Sequence, residues 1–196
     1  MIDLKNNIWR TIGLVAAMQL AVLVYMVWKR VSLLNHGREI TVDVVPLDPR
    51  DIFRGDYVIL GYPFSTAMGG SGTGDVLLPE GAHRNSAVYV TLAPREGANW
   101  QRVGIDLEQP RTPDPANVVL KGRVDYLWPG VEGKGHNGRI RYGIESYFVP
   151  EGTGRELEQL VRDRKIRAVL AVASDGTAAI KALEVDGKRI HEQAPL

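Results

Sequence analysis

The 196-residue sequence contains no cysteine. Disulfides, thiolate metal sites and cysteine nucleophiles are thereby excluded, and the absence fits either side of a membrane. A concentrated basic face is also missing. Residues 1–38 hold Lys5, Arg10, Lys29, Arg30 and Arg38 against Asp3, which leaves 19 basic and 22 acidic residues interspersed downstream. So balanced a chain offers no track for a phosphate backbone, and no nucleic-acid partner is expected. The four histidines (His36, His83, His136, His191) are scattered singly, without the spacing of a metal site. None of the six serines lies in a G-x-S-x-G elbow. The stretch "GGSGTGD" (69–75) lacks the Gly-Lys-Ser/Thr that opens a phosphate-binding helix, and reads as part of a flexible loop. No metal, cofactor or catalytic residue is expected.

From Thr11 to Trp28 the missing element is charge, and only Gln19 is strongly polar. Eighteen helical residues rise about 27 Å, close to the hydrocarbon thickness of a bilayer. Arg10 and Lys29-Arg30 bound the segment, while Trp9, Tyr25 and Trp28 stand where aromatic belts form. No polar stripe marks a face, as it would on a core helix, and no small-x-small cleavage site follows. The expected organisation is a short tail (1–10), a transmembrane anchor (11–34) stopped by Asn35-His36-Gly37, and a domain over 39–196. Basic residues flank both ends of the span almost equally, so charge does not choose its orientation.

After Arg38 the apolar period changes to two. "ITVDVV" (40–45), "YVILGY" (57–62) and "AVYVTL" (87–92) read as strands. Alternation over 117–128 predicts Val118, Leu120, Val124, Tyr126 and Trp128 on one face. Over 139–148 it predicts Ile140, Tyr142, Ile144 and Phe148 together. Two Asp-Gly turns divide 165–190 into a meander. Thr153 and Glu156 have capping-box spacing ahead of a short amphipathic helix from about Gly154 to Asp163. The fold class is mainly β (α+β): an anchor helix, then a mostly antiparallel β domain with one short helix.

The segment "VVPLDPRDIFRGDYVILGY" (44–62) gathers carboxylates and tyrosines around one strand. Asp48 as N-cap, Pro49 at the first helical position and Asp51 two residues on describe a capped turn. Gly55 suits a left-handed residue ending it. Asp56, beside Arg54, can accept backbone N–H groups at the strand entrance. Alternation then puts Val58, Leu60 and Tyr62 on one face and Tyr57 and Ile59 on the other. Each residue thus has a structural use. The segment is superficially similar to the active-site block of bacterial signal peptidase I. Pro46 stands where that nucleophile belongs, so no acyl-enzyme can form.

Gly55-Asp56-Tyr57-x-x-Leu60-x-Tyr62 resembles the signature of the bacterial GDYxxLxY-motif domain family. "YGIESYFVPEGTG" (142–154) and "AAIKALEVDGK" (178–188) resemble its later blocks. The resemblance implies a membrane-anchored protein associated with multi-spanning membrane proteins, its domain exported to the periplasmic side of the inner membrane. It supplies no catalytic residues and no cofactor.

The leading expectation is therefore a single-pass accessory or assembly subunit, with the lipid bilayer and an integral membrane protein as partners. A ligand-binding or sensory module is the alternative. Loops 63–86 and 129–138 would line its site, with Trp100, Trp128 and Tyr147 as stacking residues for an envelope glycan or peptide. A third reading, a hydrolase, requires Asp51 and Asp56 to face one cleft.

Overall fold

The computed structural model describes residues 4–46, 57–68, 76–95, 100–130, 136–148, 154–163 and 165–190. Helix α1 (Leu4–His36) opens the chain. Its stretch from Ile8 to His36 is long and apolar enough to cross a membrane. Every residue from Ile8 to Arg30 is exposed, with Leu14 at 69%. Among the described residues nothing packs on this apolar surface, unlike that of a core helix. The last turn is closed by the Gly37 N–H on the Leu33 carbonyl at 2.9 Å.

Among the described residues, twelve strands and one further α-helix follow: β1 (Arg38–Asp43), β2 (Val45–Pro46), β3 (Tyr57–Gly61), β4 (Thr66–Ala67), β5 (Ala87–Pro94), β6 (Trp100–Asp106), β7 (Val118–Pro129), β8 (His136–Arg141), β9 (Ser146–Phe148), α2 (Gly154–Arg162), β10 (Ile166–Val172), β11 (Ala178–Val185) and β12 (Lys188–Ile190). All the described strand pairs are antiparallel, so the class is mainly β with an N-terminal helix. One sheet runs β1-β10-β11-β12, a second β4-β8-β7-β5-β6, and a small third β2-β3-β9.

The three sheets bury one contiguous core, with Ile40, Leu170 and Ile180 from the first, Val90, Leu120 and Ile140 from the second, and Leu60 from the third. Leu157 and Val161 of α2 join it, as the amphipathic stripe predicts. The C-terminal meander is as expected. Gly176 has φ 82°, and Asp186 and Gly187 have φ 49° and 80°, the positive values that tight hairpins need.

Three sequence expectations are corrected. The run 40–45 is not one strand, because the chain leaves β1, paired with β10, and enters β2, paired with β3, at the buried Val44. The alternation through 117–128 fails at a bulge between Val124 and Tyr126. One extra residue inverts the faces beyond it, so Tyr126 (56%) and Trp128 (39%) are exposed while Leu127 packs on the core. The run 139–148 is two strands broken at Gly143, whose φ is 80°. The Glu145 carboxylate accepts the Tyr142 and Gly143 N–H groups at 2.5 and 2.9 Å and holds that turn.

Both faces of the β10–β11 pair are buried. One face joins the main core. On the other, Leu33 and Leu34 of α1 pack with Ala171 and Ala179, which oppose each other across the strand pair. Small side chains there let the helix end approach the sheet backbone. Burying each leucine contributes about 1.5–3 kcal/mol.

Candidate functional site

The motif strand β3 delivers Leu60 and Tyr62 to the interior, at 0% and 2% exposure. Tyr62 follows the last residue of β3 and precedes a single 3-10 turn, Pro63–Ser65, which turns Phe64 back beneath it. The rings of Tyr62 and Phe64 stack with centroids 5.3 Å apart, and Tyr142 meets Phe64 edge-on at 5.4 Å. Each hydroxyl crosses to a distant main-chain acceptor. Tyr62 Oη donates to the Ile144 carbonyl at 2.8 Å, and Tyr142 Oη to the Phe64 carbonyl at 3.0 Å. The Leu60 N–H reaches the Glu145 carbonyl at 2.8 Å, so residues 60–64 and the 142–145 turn are joined at three points.

Arg102 completes the cluster from β6. It is 7% exposed, and its guanidinium donates to the carbonyls of Thr66 at 2.6 Å and Phe64 at 3.3 Å. A buried charge needs hydrogen bonds, and here Nη1 supplies both of these, fastening the chain after the motif to β6, at the opposite end of that sheet's strand order from β4. The sequence reading passed over Arg102. "WQRVGID" alternates weakly, and only the pairing of β6 with β5 buries the arginine.

The electrostatics of this site are those of neutral hydroxyls. Burial pushes the Tyr62 hydroxyl well above its ordinary pKa, and the Glu145 charge adds to the rise. Burial also raises Tyr142; Arg102 opposes this and Glu145 reinforces it. At neutral pH both groups are protonated donors, suited to holding carbonyls rather than to exchanging protons.

The remaining sequence-selected residues are described only in part. Asp51, Arg54, Gly55 and Asp56 lie outside the described residues, and so do the predicted Asp48–Pro49 cap, Thr153 and His191. Tyr57 is placed in β3 opposite Phe148. Tyr147 is a core residue at 3% exposure, because β9 pairs with β3 and turns it inward; it is not a surface stacking group. Trp100, half-buried, opposes Pro94 near the start of β7, whereas Trp128 opposes Asn137 near its end. About ten strand residues, roughly 30 Å, separate those ends. The three aromatics therefore line no common site. Among the described residues, no group of three or more His, Cys, Asp or Glu side chains is placed to hold a metal ion.

With the buried Leu60 and Tyr62 in place, the comparison with known families is decisive. A family model described as GDYXXLXY protein matches residues 19–183. The chain belongs to the GDYXXLXY family. No curated protein and no solved structure matches it. In this GDYXXLXY protein two residues of the signature are core: Leu60 packs and Tyr62 both packs and cross-links. The matched span begins within α1 and ends in β11, so the family pattern takes in the helix–sheet joint as well.

That joint is fastened independently of the tyrosine cluster. The Arg38 guanidinium donates to three successive carbonyls, Pro115 (2.7 Å), Ala116 (3.0 Å) and Asn117 (2.8 Å). Lys29 Nζ stands 3.7 Å from Asp175 Oδ2. The Gly176 carbonyl accepts the Lys121 N–H at 2.8 Å, tying the β10–β11 turn to β7. A residue with a Cβ does not fit at position 37, where that carbon would lie 2.5 Å from the Leu33 carbonyl oxygen and 3.1 Å from Ala171 Cβ.

Proposed function

We propose that the protein is a single-pass membrane protein of the bacterial inner membrane. Its β domain, on the periplasmic side, acts as an accessory or assembly subunit for an integral membrane partner. The observation that carries this reading is the packed joint between α1 and the β10–β11 face. A domain on a loose tether samples many orientations. One seated on the end of its own helix by two leucines and an arginine clamp presents the same surface at the same height above the bilayer. Such placement suits docking against a neighbouring membrane protein. The tyrosine cluster supports the same reading, since its polar groups are spent on main-chain acceptors.

Mild cross-linking in cells, followed by detergent purification of the tagged full-length protein and mass spectrometry, tests the proposal. One stoichiometric integral membrane partner is the expected result. A partner-free protein after cross-linking would overturn it.

A further inference from the structure

A groove of about 640 Å³ opens where α1 meets the sheets. One wall is the end of the helix, with Trp28, Lys29 and Ser32; the other includes Val118, Val119 and Asp175. Its height is set by the helix. The uncharged segment ends at Trp28, and Ser32 lies four residues further, about 6 Å along the axis. Head groups occupy about that depth on each side of the hydrocarbon. The groove therefore stands at head-group level, if α1 spans the bilayer as proposed above.

Its chemistry is split in the same way as an amphiphile. Trp28 and the half-buried Val119 give apolar walls beside the exposed helix surface. At the mouth a cation and an anion face each other without forming a hydrogen bond. Lys29 Nζ and Asp175 Oδ2 are 3.7 Å apart, and their side chains are 56% and 47% exposed. The other Asp175 oxygen is taken by the Thr177 N–H at 2.9 Å, which fixes the carboxylate in place. A ligand carrying both a phosphodiester and an N–H-bearing ammonium complements this pair, the phosphodiester on Lys29 and the ammonium on Asp175.

We propose that the groove binds one phospholipid with a primary-amine head group, its glycerol and upper acyl carbons lying against Trp28 and Val119. A free phosphate compound shares the polar chemistry. The apolar walls and the depth of the groove favour the lipid.

The test uses full-length protein, purified in detergent and placed in nanodiscs of phosphatidylcholine mixed with either phosphatidylethanolamine or phosphatidylglycerol. Lipid retained after release from the discs is read by native mass spectrometry. The expected result is one retained phosphatidylethanolamine, enriched about tenfold over phosphatidylcholine. Lys29→Gln should abolish retention. Asp175→Asn keeps an acceptor for Thr177 and should remove only the preference for the amine. Ser32→Trp fills the groove without altering charge and should also empty it, with melting temperatures compared to confirm folding. Retained lipid that merely mirrors the disc composition, or retention unchanged in Lys29→Gln, overturns the site. Inorganic phosphate or phosphoethanolamine binding as well as the lipid overturns the lipid assignment, and so does a protein partner's segment cross-linked into the groove. Failure to enter the discs overturns the membrane reading together with the site, whereas insertion without retained lipid overturns the site alone.

Discussion

The hydroxyl of Tyr62 donates to the carbonyl of Ile144, 82 residues further along the chain, at 2.8 Å in a fully buried setting. The bond fastens the end of the motif strand to the turn between β8 and β9. It makes the last tyrosine of the signature a cross-link as well as a core residue.

Substitution at this position separates the two roles. Tyr62→Phe keeps the ring and leaves the Ile144 carbonyl without its donor, at a cost of about 1–3 kcal/mol. Tyr62→Ala also opens a cavity beside Phe64 and should cost about 3–5 kcal/mol. Chemical unfolding of the two variants measures both. A loss below about 1 kcal/mol for Tyr62→Ala would contradict the packing described.

Arg102→Leu should destabilise the fold by about 1.5–3 kcal/mol, because the Phe64 and Thr66 carbonyls lose a charged donor in a largely buried place. Arg102→Lys should recover only part of that, since the shorter lysine must place its ammonium where Nη1 now meets both carbonyls. Equal stability of the leucine variant and the parent in the same unfolding assay would show that the arginine has no holding role.

The buried tyrosines predict an alkaline limit. The Tyr62 and Tyr142 hydroxyls are raised above the ordinary value of 10.0, by burial first. Their contribution is intact below the unfolded value. As pH climbs past about 10 the unfolded chain releases protons that the folded chain retains, so stability falls. Melting temperature should therefore decline above about pH 10, and the double variant Tyr62→Phe/Tyr142→Phe should show a flatter decline from a lower starting point. Parallel curves would remove the tyrosines as the cause.

At the joint, Gly37→Ala places a Cβ against the Leu33 carbonyl and the Ala171 side chain. Separating the helix end from the sheet should cost about 1–3 kcal/mol. The change should also loosen the domain on its anchor. Spin labels on the helix and on the β10–β11 turn would report it as a broadened distance distribution, and an unchanged distribution would refute the tight fit at residue 37.

Composition alone determined the helix: no charge from Thr11 to Trp28 and apolar side chains on every face leave few alternatives. Local chemistry was likewise enough for the meander and for α2. Asp-Gly supplies positive φ wherever it occurs, and a single apolar stripe has one side to bury. The bulge in β7 lay beyond such reasoning, since alternation predicts a face only while the register to the partner strand is kept, and β8 sets that register. Arg102 was equally hidden, because nothing in "WQRVGID" says that its arginine will lie under the carbonyls of Phe64 and Thr66. Only the tertiary structure decided that Tyr62, Phe64, Arg102, Tyr142 and Ile144 form one cluster, and that Leu33 and Leu34 rest on two alanines. These contacts join residues far apart in sequence, and pairing between distant strands, not local preference, brings them together.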